Sequence, residues 1–133
     1  MAPIDLTRVG VILAVTDVAR ASAFYVEHFG FAIETTFDAP AYAILTRGGI
    51  RLSLAEQGHA SADLPGVVMT APQDPARPAA MLVFEVPDCA SAYDALRGAG
   101  VEFASDVYRP PWGGARCFAR DLDGHLIELE EPA

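Results

Sequence analysis

At 133 residues the chain has the length of one domain, with enough of it to bury a core. With 52% hydrophobic and 20% charged residues, its composition is globular and not disordered. Nine Lys and Arg against 18 Asp and Glu leave a formal charge of -9, which argues against a nucleic-acid partner and fits solubility or a cationic small ligand.

Residues 9–16 are branched and apolar, interrupted by Gly10, and are expected to form a strand. Asp17 is placed to cap a helix in which Val18, Ala21, Tyr25 and Phe29 share one face, and Gly30 stops it. Strands are expected over 31–37, 42–46 and 50–55, joined by a turn at Asp38-Ala39-Pro40 and a tight hairpin at Arg47-Gly48-Gly49. From Glu56 to Ala79 four prolines and many small residues mark a linker, with one helical turn expected near 60–64. That linker is either mobile or lies across a ligand opening.

The plan then returns. Residues 81–86 form a strand, Asp88 a cap, and 90–99 a helix with Ala92 and Leu96 on its inner face, ended by Gly98 and Gly100. Strand character continues over 101–108, followed by the loop Arg109-Pro110-Pro111-Trp112-Gly113-Gly114. Strands at 116–120 and 125–130 flank an Asx-type turn, Asp121-Leu122-Asp123-Gly124. The expected fold is α+β: a single domain of two paired β-α-β-β-β modules, about 8–56 and 80–131, with the linker at 57–79. Together they are expected to make a curved, cup-like mixed sheet.

Strand alternation assigns side chains to the two faces. Val11, Leu13 and Val15 face the helices with Leu52, Leu54, Leu82, Phe84, Val86, Ile127 and Leu129. Gly10, Ile12, Ala14, Arg51, Ser53, Met81, Val83, Glu85, Leu126, Glu128 and Glu130 face the cup. Aligning the modules pairs Gly10 with Met81 and Ser53 with Glu128. Four such positions would suit a central metal, which needs about three or four N, O or S donors. Only Glu128 is a strong one.

The strings Leu13-Ala14-Val15-Thr16-Asp17, Ala23-Phe24-Tyr25, Phe29-Gly30-Phe31 and Phe84-Glu85-Val86-Pro87-Asp88 resemble the vicinal-oxygen-chelate superfamily. So does the closing run from Phe118 to Leu129. The superfamily holds glyoxalase I, extradiol dioxygenases, fosfomycin-resistance enzymes and bleomycin-resistance proteins, and the resemblance covers nearly the whole chain. It implies that metal-dependent members carry His where this chain has Gly10 and Met81, a Glu at Glu128, and in some a donor near Ser53. Keeping one donor of three or four argues against metal-dependent chemistry. The pattern is closest in type to the metal-free bleomycin- and mitomycin-resistance binders, and Arg109 to Gly114 looks like their Pro-Trp-Gly loop.

Each candidate residue has a functional and an ordinary role. Trp112, the sole Trp, either stacks on a planar ligand or closes the rim or a subunit contact. Glu128 meets a basic ligand, an internal cation such as Arg116 or Arg51, or a residual metal. Phe37, Tyr42, Phe103 and Tyr108 line a cavity or belong to the core, and Met81 suits either an adaptable wall or a gap. Ile12, Ser53 and Arg51 complete the candidate ligand contacts. Cys117 reads as a packed thiol, and His28, His59 and His125 do not face the cup.

No phosphate-cradling loop, Ser-His-Asp triad or carboxylate pair is placed by spacing. Cys89 and Cys117 lack CxxC spacing, so neither a zinc cage nor a disulfide framework is expected. With no apolar stretch of membrane-spanning length and no leader-like start, no membrane association is expected, and the cytoplasm is the expected compartment. The reading is a homodimer that sequesters a hydrophobic or planar small molecule, cationic or neutral, such as an antibiotic, with no cofactor. The alternative is an isomerase or lyase of the same superfamily. It would work either without metal, Glu128 serving as acid or base, or with a divalent metal on ligands such as Glu56, His59 and Glu128.

Overall fold

The computed structural model describes residues 1–133, which divide into two compact units, Met1–Ala71 and Pro72–Ala133. In the first, β1 (Gly10–Val15), α1 (Val18–Phe29), β2 (Ala32–Asp38), β3 (Ala41–Arg47) and β4 (Ile50–Glu56) follow in order. They make a mixed sheet of order β1-β4-β3-β2, in which β1 runs parallel to β4 and the other pairs are antiparallel.

Local chemistry sets the boundaries of α1. The Asp17 carboxylate accepts from the Arg20 N–H at 3.0 Å, satisfying one of the helix's free donors. At the other end Gly30 turns left-handed, φ 69°, a conformation a side chain would strain. The Arg47 guanidinium donates to the Phe29 carbonyl at 2.7 Å, so a hairpin residue completes the cap. Val18, Ala21, Tyr25 and Phe29 are buried as their spacing predicts, joined by Ser22 and Phe24. That face packs on β3 and β4, where Ala43, Leu45, Leu52 and Leu54 are fully or almost fully buried. Burying such a leucine contributes roughly 1.5–3 kcal/mol.

The second unit repeats the plan with β5 (Leu82–Glu85), α2 (Cys89–Gly98), β6 (Glu102–Phe103), β7 (Ala115–Arg120) and β8 (Leu126–Glu131). Its sheet order is β5-β8-β7-β6, with β5 and β8 parallel. Asp88 caps α2 by accepting from the Ser91 N–H at 3.1 Å. Even the register repeats: Ile12 pairs with Ser53 in one unit and Val83 with Glu128 in the other. The internal alignment drawn from the sequence is therefore the structural one.

Two expectations are corrected, over 101–108 and near 60–64. The strand expected over 101–108 shrinks to Glu102–Phe103 plus an isolated bridge from Tyr108 to Arg116. The Ala104 N–H still donates to the Phe118 carbonyl, but the Phe118 N–H donates to the Ser105 hydroxyl at 3.1 Å, which breaks the backbone ladder there. The inner face of α2 includes half-buried Ala92 and Leu96 as expected, and adds the buried Cys89 and Tyr93. Near 60–64 the chain makes a turn bridged between Ser61 and Leu64 and not a helical one.

The linker is hydrogen-bonded at both ends. The Ala71 N–H donates to the Gln57 side chain at 3.0 Å and the Gly58 N–H to the Met69 carbonyl at 3.0 Å, closing residues 57–71 onto the first unit. Residues that follow belong to the second, where Arg120 donates to the Pro75 carbonyl at 3.1 Å.

Candidate functional site

Each sheet has one face turned to its helix and one open face. On the open face of Met1–Ala71, register places Gly10 and Ile12 beside Arg51 and Ser53, with Thr46, Ile44 and Tyr42 next along and Phe37 beyond. Ile12 and Phe37 are exposed, Arg51 and Tyr42 half-buried, and Ser53 buried between branched neighbours. Phe37 and Tyr42 stack edge-on with centroids 6.2 Å apart. A side chain at Gly10 would meet Arg51 at an ordinary 3.6 Å, so the missing donor there reflects the residue and not a lack of room.

The open face of Pro72–Ala133 carries the chemistry. Val83 and Glu85 on β5 pair with Glu128 and Glu130 on β8, which pair in turn with Phe118 and Arg116 on β7. Met81 precedes β5 and is exposed, as is Val83. Glu128 is only 8% exposed. Burial pushes its carboxyl above the ordinary value; the Arg116 charge pulls it back, and a hydrogen bond and like charge from Glu130 push it up again. The result is a Glu128 carboxyl that holds its proton more readily than an exposed one.

Beside it lies a cavity of about 230 Å³ walled by Pro110, Trp112, Ala115, Arg116, Glu130 and Pro132. Trp112 is exposed at its mouth. The loop that carries it leaves little freedom: Gly113 and Gly114 adopt φ 102° and 75°, and a side chain at Gly114 would collide with the Glu131 carbonyl. Trp112 and the strand pair bearing Glu130 are thus locked together.

Tyr108 bridges Arg116 and is exposed. Phe103 stands apart from these residues, its ring 4.7 Å from Tyr93 of α2, because its strand partner Ala119 lies in the buried row of β7. It belongs to the packing of α2 and not to the open face. Phe118 lies opposite Glu128 on the open face, a place that its alternation with buried Cys117 and Ala119 signals.

The donor set does not fit a metal. Nowhere in the chain do three His, Cys, Asp or Glu side chains gather in a metal-holding group. Glu56 and His59 do meet, at 3.0 Å, but as a pair. Gly10 and Ser53 bring no ionisable donor to their sheet, and Met81, just before β5, brings only a thioether. His28 packs edge-on against Phe24, 5.0 Å between centroids, and the His125 N–H donates to Asp121 at 2.9 Å in the expected Asx turn.

The family model of the glyoxalase/bleomycin resistance protein/dioxygenase superfamily matches residues 6–129. The chain belongs to this superfamily. No curated protein sequence matches it. Among solved structures, TioX from Micromonospora sp. ML1 is 26% identical, with TM-score 0.73 over 94% of this chain and 98% of that one. A glyoxalase-related enzyme from Fulvimarina pelagi is 27% identical, with TM-score 0.73 over 96% and 89%. Lactoylglutathione lyase from Agrobacterium tumefaciens, at 19% identity and TM-score 0.75 over 97% and 95%, shares the fold. Within the superfamily, association with a small molecule is the common theme this chain inherits. No helix is long and apolar enough to cross a membrane.

Proposed function

We propose that the chain binds and sequesters a planar, cationic small molecule, without a metal and without transforming it, in the manner of the bleomycin- and mitomycin-resistance binders. One observation carries the reading: of the four equivalent positions only Glu128 is a strong donor, and it sits buried, with its carboxyl pushed toward the protonated form. A buried carboxyl of this kind gains most from an organic cation that displaces its proton. Trp112 supplies a stacking surface next to Glu130, around a cavity of about 230 Å³. We further propose that the protein works as a homodimer; exposed Ile4, Leu6 and Val9 supply apolar surface for a second copy.

Titration with bleomycin and a panel of planar cationic antibiotics tests this through the fluorescence of Trp112. Saturable quenching that survives a chelator and weakens in Glu128→Gln is expected, and silence across the panel would sink the reading. Light scattering checks the dimer.

The same raised carboxyl, together with the likeness to a glyoxalase-related enzyme, supports a second reading: Glu128 as general acid or base of a metal-independent isomerase or lyase. Mass spectrometry of the bound compound separates the two. A sequestering protein returns it unchanged; an enzyme returns a product at more than one equivalent per chain.

A further inference from the structure

Cys89 and Cys117 are 28 residues apart in sequence, yet their Sγ atoms lie 3.3 Å apart. Both are fully buried. Cys89 is the first residue of α2, fixed there by the Asp88 cap. Cys117 lies in the middle of β7, in the buried row between Ala115 and Ala119, whose small side chains leave room for the start of the helix. The Cys89 thiol also points toward the Leu129 carbonyl, 3.6 Å away on the neighbouring strand. Burial, and then the Cys89 thiol beside it, push the Cys117 thiol up to about 12, so Cys117 at rest holds its proton.

We propose that Cys89 and Cys117 form a modification site: a dithiol that an oxidised low-molecular-weight thiol, R–S–S–R, converts to an intramolecular disulfide joining α2 to β7. Opening of the first turn of α2 admits the oxidant. Cys89 gives up its proton and attacks one sulfur of R–S–S–R, forming a mixed disulfide and releasing RS⁻, which takes the proton. Cys117 then gives up its proton, attacks the Cys89 sulfur and expels the second RS⁻ as RSH. Two protein thiols lose two hydrogens in total, and one R–S–S–R becomes two RSH. The sulfurs are already in contact at 3.3 Å, and closure brings them to a bond of about 2.05 Å. The bond would form directly behind Arg116 and Phe118, which flank Cys117 on the opposite face of β7. The chemistry of the pair does not depend on what that open face binds.

The test is exposure of the full, folded chain to oxidised glutathione, followed by intact mass, thiol counting after denaturation, and a non-reducing peptide map. The expected result is a mass lower by two hydrogens, no free thiol, and a Cys89–Cys117 linked peptide, all reversed by reductant. Cys117→Ala should instead trap glutathione on Cys89. Two free thiols after exposure would overturn the proposal. So would a linked peptide that forms only when the chain is oxidised in denaturant, or one joining two chains. The wild-type measurements decide the matter even where the variant does not fold.

Discussion

In Met1–Ala71 the strand paired in parallel with β1 sets Ser53 beside Ile12; in Pro72–Ala133 the strand paired with β5 sets Glu128 beside Val83. Cap, helix, strand order and register coincide, and the side chains at matched places do not. The helix-facing rows must fill a core in both units, so Leu54 and Leu129 are alike. The open faces carry no such demand. One carries Arg51 beside Gly10 and Ser53 and no carboxylate opposite them; the other carries Glu128, Glu130, Arg116 and the Trp112 loop. A duplicated backbone can therefore keep its packing symmetric while its chemistry moves into one half.

The strongest way to break this picture is through the matched cores. Leu54→Ala and Leu129→Ala, both at positions with almost no exposure, should each destabilise by about 2–5 kcal/mol in urea unfolding. A loss confined to one of them would mean the two cores are not equivalent.

Next comes the asymmetric pair. Glu128→Gln should weaken bleomycin binding, or that of whichever panel compound binds, by about tenfold or more, the rank of a charged hydrogen bond. Ser53→Ala should leave it nearly unchanged. Trp112 fluorescence reads both.

The carboxyl also predicts a pH signature. Because Glu128 is raised in the fold, it binds its proton more tightly there than in the unfolded chain. Its stabilising contribution is complete below the ordinary value of 4.5 and is lost as pH rises through the higher folded value. Capped Asp88 is lowered and acts in the opposite sense. Subtracting the urea-unfolding profile of Glu128→Gln from that of the wild type should therefore leave a component that falls with rising pH.

Smallest are the caps. Asp17→Ala should cost about 1 kcal/mol by loss of its bond to the Arg20 N–H. Asp88→Ala should change stability in the same direction. Chemical denaturation of the two variants checks whether the helices are equally dependent on them.

Much of this was legible in the residues. Asp17 and Asp88 announced the helices, alternation assigned the faces of β1, β4, β5 and β8, and the match of Ser53 to Glu128 followed from spacing alone. The short β6 was not legible, since residues 101–108 are apolar enough for a strand and it ends where the Ser105 side chain takes the Phe118 N–H from the backbone ladder. Phe103 itself reads as a pocket residue until its strand partner Ala119 shows which face it shares. Glu130 could be seen as an inward carboxylate, but its hydrogen bond to Glu128 depends on two side chains meeting in space.

Sequence alone determined the duplicated plan, the caps and the poverty of metal donors, because these rest on residue identity and on periods of two and 3.6 within one segment. Tertiary structure decided what distant segments do to one another. It brought Cys89 to Cys117, set Arg116 against Glu130, locked Trp112 beside β8 and drew the linker onto the two units. Those outcomes depend on which strands pair and how closely they pack, and no local pattern encodes that.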